Sequence, residues 1–310
     1  NIGEGSYLSD GKASMSSSKN IAERLFSLFA RANYSYKDRY MLSASIRREG
    51  SSKFAENKRW ANFWSLSGGW RISNESFMKG ITWVDDLKLR VGYGVTGNND
   101  FSSSFMANML GSDAYWMLPD GSWAYSYGKS QNVNPKLGWE EKKEWNLGVD
   151  YSLFKDRLYG KFDLYRRKVD GMIYSVKVPQ PPFTQGNQYQ NIGNMENKGW
   201  EFEIGGDIVR SKDWTYTSNI SLSHNTTKIL SLWGDNTYYT SGGFPAPGSP
   251  GDALRIEEGT TIGSFYIWKF AGFDETGNFL LYNKDGEVIP ASEKTQSDKQ
   301  YVGNYTPKLV

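Results

Sequence analysis

The sequence predicts an all-β protein, part of a large antiparallel barrel that crosses a membrane with its strands. Three observations predict it. Apolar residues recur with period two, the mark of a strand with one apolar face, and helical periodicity is nearly absent. The alternating segments run about 9–12 residues, longer than the roughly 5–6 of soluble strands and matched to a tilted membrane crossing. Short and long connections alternate along the chain, as in a barrel with tight turns at one rim and long loops at the other. A soluble β-sandwich is the alternative these patterns leave open.

The first segment, 25–36, sets Phe26, Leu28, Ala30, Ala32, Tyr34 and Tyr36 against Leu25, Ser27, Phe29, Arg31, Asn33 and Ser35. Lys37-Asp38-Arg39 then makes a tight turn into 40–48, where Tyr40, Leu42, Ala44 and Ile46 share a face. Residues 63–72 place Trp64, Leu66 and Trp70 opposite Ser65, Ser67 and Arg71, and 87–96 place Leu87, Leu89, Val91 and Tyr93 opposite Lys88, Arg90 and two glycines. The pattern resumes at 145–153 with Trp145, Leu147, Val149 and Tyr151, turns at Lys155, and continues through 158–167. Residues 200–208 carry Trp200, Phe202 and Ile204, and 214–223 carry Trp214, Tyr216, Ile220 and Leu222. A ninth strand is expected around Phe265–Phe273. The long links fall at about 49–62, 97–143, 169–198 and 225–262; the 73–86 link is moderate.

Composition agrees with this reading. The 310 residues include 12 Trp and 20 Tyr, rings with apolar bodies and polar tips that suit a membrane–water boundary. Mean hydropathy is −0.62, which a barrel tolerates because only alternate residues face lipid. No stretch approaches the roughly 20 apolar residues of a membrane helix, and the opening residues lack the basic start and apolar run of a signal peptide. The absence of Cys removes disulfides, thiolate metal sites and thiol nucleophiles, and a net charge of +2 gives no reason to expect a nucleic-acid partner. Nine strands do not close a barrel of even strand number, and an open edge in lipid leaves costly unpaired backbone groups. Thr306-Pro307-Lys308-Leu309-Val310 resembles the start of another strand, so the expectation is one barrel domain over 1–310, incomplete at both ends, with its strands within about 22–273.

A series of short motifs then carries a family resemblance. Tyr34-Ser35-Tyr36-Lys37-Asp38-Arg39-Tyr40 with Arg47-Arg48-Glu49-Gly50-Ser51-Ser52-Lys53-Phe54, Trp70-Arg71-Ile72-Ser73 with Glu75 and Phe77, and Asp86–Arg90 through Tyr93–Asn98 resemble SusC/RagA-like TonB-dependent transporters. So do Asn134-Pro135-Lys136-Leu137 with Trp139-Glu140, Tyr165–Lys168 with Asp170, and Asn191-Ile192-Gly193 with Glu196–Glu201. The resemblance implies a bacterial outer-membrane barrel of 22 strands closed by an N-terminal plug that this sequence lacks. It implies import of oligosaccharide or peptide cargo, a SusD-like surface lipoprotein as partner, and energy through TonB by way of an N-terminal region. It implies neither a cofactor nor a catalytic role. A plug-less structural or adhesive outer-membrane barrel and a secreted carbohydrate-binding β protein are the rival readings.

Several residues invite chemistry. Gly92-Tyr93-Gly94-Val95-Thr96-Gly97 fits a dinucleotide fingerprint, but a loop follows it where a helix is required. His224 is the single His and is expected at the end of a strand, without partners for a triad or a zinc site. Asp274, Asn278 and Asp285-Gly286 miss the spacing of a calcium loop. Glu201 and Glu203, two apart on a strand, suit a polar face better than acid–base work. Two loops are richer. Tyr115, Trp116, Trp123, Tyr125 and Tyr127 lie in one, Trp233, Tyr238 and Tyr239 in the other. Such rings can stack on a ligand, or pack between loops and against a lid partner, and both readings stay open.

Overall fold

The computed structural model describes residues 23–102, 110–232, 238–243 and 251–304, together with a small strand pair at Ser6–Tyr7 and Ala13–Ser14. Of that pair and of residues 110–114, 125–127 and 239–243 it describes only the backbone. Among the described residues there are strands and short 3-10 turns, and no helix is long and apolar enough to cross a membrane, which leaves strand crossings open.

Eight strands form one sheet: β1 (Leu25–Tyr36), β2 (Tyr40–Ser51), β3 (Trp60–Arg71), β4 (Val84–Asn98), β5 (Glu140–Leu153), β6 (Leu158–Asp170), β7 (Asn194–Arg210) and β8 (Thr215–Ser231). Each pairs antiparallel with its neighbour in sequence, so the order across the sheet is the order along the chain. Tight turns close one rim. Lys37 and Asp38, and Phe154, Lys155 and Asp156, adopt positive φ, the backbone twist that lets a short loop join right-twisted strands. Ser211 closes the third turn through its N–H to the Trp214 carbonyl (2.8 Å). Links 52–59, 99–139 and 171–193 rise from the other rim.

Register keeps the two faces distinct across the whole sheet. One row runs Tyr36, Tyr40, Trp70, Leu89, Val149, Phe162, Phe202, Leu222, one residue from each strand. On the opposite face Lys88, Asp150, Lys161, Glu203 and Ser221 form the corresponding row. Among the described residues no other element covers the apolar face: Leu28 is 59% exposed, Ile46 53% and Ile220 55%. Side chains of this kind stand bare only when the solvent is itself apolar. Packing against protein happens at the long-loop rim, where Phe54, Leu137, Val176 and Ile229 are almost completely buried.

Most strands outrun the expected ends, nearly always toward the long loops. β7 and β8 reach 17 residues each. Their extensions, such as Asn194–Gly199 and Asn225–Ser231, lack apolar alternation because they stand beyond the apolar belt, where a continuous apolar face is no longer required. The expected ninth strand takes a different form. Residues 264–273 break at Trp268 into Ser264–Ile267, which pairs with Asp252–Glu257 and Gln300–Asn304, and Lys269–Phe273, which pairs with Phe279–Tyr282. Neither piece joins the eight-stranded sheet. Each is only four or five residues long, and the turn Asp274–Asn278 offers Lys269–Phe273 a local partner, which costs less chain entropy than a distant edge.

Candidate functional site

The polar face is a wall of paired charges and hydroxyls. Arg90 on β4 reaches across to Asp150 on β5 through Nε and Nη2, both at 2.8 Å, and onward to Asp163 on β6 at 3.0 Å. Lys161 pairs with Glu203 at 3.0 Å and Arg167 with Glu144 at 2.8 Å, its guanidinium lying 4.7 Å from the Tyr165 ring centre. Forked cross-strand pairs of this kind fix register as well as charge. Between β1 and β5 the wall is lined by Asn33, Ser43, Ser67, Lys88 and Asn146, around a hollow of about 470 Å³. The chemistry on offer is hydrogen bonding to a passing polar solute. Among the described residues no group of three or more His, Asp or Glu is placed to hold a metal ion.

At the long-loop rim the motif residues converge. Phe54 packs between Phe101 (5.1 Å) and Trp139 (4.5 Å), and Phe63 meets Trp139 edge-on. Ala55 N–H donates to the Leu137 carbonyl, and Trp139 Nε1 donates to the Arg59 carbonyl at 2.9 Å. Asn191 is the fastener between two loops: its Nδ2 donates to the carbonyls of Gly138 (2.8 Å) and Gly171 (3.0 Å), and its Oδ1 accepts from Gly138 N–H (2.7 Å). Asn132 and Asn134 donate to the Gln185, Asn187 and Tyr189 carbonyls. Loops 52–59, 99–139 and 171–193 are therefore tied into one block. The role of Phe54, Leu137 and Asn191 was not read from the sequence, although their clustering in ordered motifs was the available signal.

The loop aromatics divide. Tyr115 and Trp116 lie on the strand Leu110–Met117, which pairs with Trp123–Lys129, and register sets Tyr115 opposite Tyr125, Met117 opposite Trp123, and Ser112 opposite Tyr127. Tyr115, Trp116 and Trp123 are 59%, 69% and 62% exposed. The side chains of Tyr125, Tyr127 and Tyr239, and all of Trp233, lie outside the described residues. Tyr238 stands on a separate element, Tyr238–Gly243, and covers the Arg255 guanidinium at 3.7 Å, with Tyr266 on it at 4.4 Å. Arg255 pairs with Glu257 at 3.2 Å, and Glu257 accepts from Tyr301 Oη at 2.5 Å. Burial and that hydrogen bond push the Tyr301 hydroxyl above its ordinary pKa. A cleft of about 550 Å³ opens beside this sandwich, bordered also by Gln296 and Lys299.

The remaining candidates resolve simply. β4 continues as a strand through Gly97, so the glycine pattern opens no helix and lacks the phosphate-binding geometry. His224 lies inside β8, seven residues before its end at Ser231, with its ring 6.4 Å from Trp200; the strand end was misplaced because the polar residues after it gave no alternation. The Asp274 carboxylate accepts from Asn278 and Thr276, which holds it well below the usual carboxylate range and makes a plain turn. At the tight-turn rim Glu75 accepts from Tyr40 Oη (2.6 Å), Trp70 Nε1 (3.0 Å) and Arg39 (3.3 Å). The Tyr40 and Trp70 hydrogen bonds hold its carboxyl below the ordinary value.

Comparison with known proteins agrees with this architecture. Residues 3–306 match the family model described as TonB dependent receptor-like, beta-barrel. The chain is 38% identical over 284 residues to TonB-dependent receptor P39 of Formosa agariphila, covering 90% of this chain and 25% of that protein. It is 34% identical over 276 residues to TonB-dependent receptor SusC of Bacteroides thetaiotaomicron, covering 85% of this chain and 27% of that protein. The solved structure of the RagAB peptide transporter superposes with a TM-score of 0.79 at 28% identity, over 93% of this chain and 31% of that one. The chain thus spans about a quarter to a third of the length of the relatives it matches. With an unbroken antiparallel wall, one bare apolar face and one charged face, the chain belongs to the TonB-dependent receptor β-barrel family, of the SusC and RagA kind, and its place is the bacterial outer membrane.

Proposed function

We propose that the protein carrying this sequence imports oligosaccharide or peptide cargo across the outer membrane, with residues 1–310 supplying part of the barrel domain. TonB supplies the energy and a SusD-like lipoprotein covers the loop side. The work is capture and gated passage, with no bond made or broken. The observation that carries this reading is the polar wall: charges such as Arg90 with Asp150 and Lys161 with Glu203 are paired within the wall itself, so a polar solute meets hydrogen-bonding groups without a deep charge trap. Similarity to a peptide transporter and to SusC supports it. In this reading the exposed rings Tyr115, Trp116 and Trp123 touch the cargo, and Tyr238 borders a second contact at the Arg255 cleft; Tyr125, Tyr127, Trp233 and Tyr239 are proposed to extend the same two surfaces.

Uptake of labelled oligosaccharide and peptide mixtures by cells with and without the gene tests the proposal. Loss of uptake of one cargo class on deletion, and equal loss when a protonophore collapses the energy source, is the expected result. Unchanged uptake with lost surface adhesion would instead establish an adhesive barrel.

A further inference from the structure

We propose that the apolar face carries a binding groove for a phosphate-bearing glycolipid of the outer leaflet, gripped by Arg166 and Lys198; the inference rests on the outer-membrane placement of this face. The groove runs along β6 between its neighbours, with a volume of about 570 Å³. Leu147 and Leu164 form its floor, directly paired across β5 and β6, and Trp145 and Trp200 stand at its two sides. One step further toward the long loops the character changes in adjacent strands. Arg166 follows Leu164 on this face and Lys198 precedes Trp200, and the two cations are register partners. The apolar belt ends at this level, where a lipid changes from acyl chain to headgroup.

Charge accounting points to an anionic occupant. Lys143 and Lys168, one row above, both bind Asp170 at 2.8 and 2.9 Å. Arg166 uses its Nε–Nη2 edge on Glu196, while its side chain stays 67% exposed and Nη1 remains for another acceptor. Lys198 is exposed and has no acidic partner among the described residues. On the polar face Arg90, Lys161 and Arg167 are each matched to a carboxylate. An uncompensated cation beside an acyl-sized groove at the headgroup level is satisfied by a lipid phosphate. A zwitterionic headgroup would bring its own cation to the same place.

The test uses the native protein, purified in mild detergent and exchanged into nanodiscs containing a phosphorylated lipid A or its enzymatically dephosphorylated form. Native mass spectrometry reads retained lipid. The expected result is retention of the phosphorylated lipid alone, weakened roughly 30-fold in Arg166→Gln/Lys198→Gln, the effect of two cations each worth about 1 kcal/mol against an anionic surface. Lys155→Gln at the opposite rim should leave retention unchanged. Equal retention of both lipids, or of the phosphorylated lipid by the double variant, would overturn the proposal. Cargo uptake measured in the same variants separates this outcome from failure of the import reading, since the groove and the lumen are on opposite faces of the sheet.

Discussion

Leu137 has no exposed surface, and it sits in a loop, where such burial needs a reason. The reason is the block of loops it helps to hold together. Leu137→Ala should destabilise that block by about 2–5 kcal/mol, the cost of a buried cavity, and limited proteolysis of the native protein should show faster cutting within 99–139 while the sheet persists. Glu75 offers a second residue-scale prediction, on pH. Its folded pKa lies below the ordinary value of 4.5, so its contribution to stability is fully present above that value and is lost as the pH falls through the lowered one. Thermal unfolding followed between about pH 5 and pH 2 should therefore show a loss of stability that is smaller in Glu75→Gln. An identical pH profile in the two proteins would exclude this role. Neither residue's partner was legible beforehand. Tyr40 and Glu75 lie 35 positions apart, and only the fold brings them together.

At the scale of elements, legibility tracked the solvent. Where lipid wets one face and the lumen the other, alternation is enforced and strands such as 25–36 were readable to the residue. Beyond the lipid, only backbone hydrogen bonds continue the ladder, and composition leaves no mark of them. The same limit concealed the Arg255–Glu257–Tyr301 cluster, whose last member is 44 positions from Glu257, while the exposed rings of the 110–129 hairpin were visible as a local cluster. Tyr115→Ala, Trp116→Ala and Trp123→Ala combined should weaken cargo binding roughly tenfold, about 1.4 kcal/mol, with gel mobility unchanged. Glycine also marks an element-scale constraint. A Cβ at Gly199 would collide with the His224 carbonyl oxygen and stand 2.7 Å from Tyr165 Oη. Gly199→Val should therefore push β7 and β8 apart at a cost of about 1–3 kcal/mol, read as a lower temperature for loss of the compact, heat-modifiable form on gels.

For the whole molecule, the sheet is a curtain with two open edges in its membrane belt. Among the described residues β1 has a partner on one side only, and β8 is met on its outer side only near its loop end, where residues 259–262 bond Thr227 and Ile229; hydrocarbon does not tolerate unpaired backbone groups. Each edge must be met by another strand. The 310-residue segment expressed alone in detergent is expected to aggregate and to show no heat-modifiable mobility, whereas the native protein should show it. A monodisperse, heat-modifiable segment would mean that these eight strands close on themselves. The overall topology was legible because each tight turn forces sequence neighbours to become spatial neighbours. The fate of residues 264–304 was not, because short strands pair with whatever lies closest.

The 17-residue length of β7 and β8 has a mechanical consequence. Such strands are about 56 Å long, and a membrane belt about 25 Å tall leaves a stiff collar standing clear of it. A load applied at the loop tips pulls along the strand axes, so the rungs of the ladder share it in shear instead of parting one at a time. Under the proposed import function the collar can therefore bear the pull of a lid or of a departing cargo as a post bears a gate, with the wall in the membrane left undisturbed.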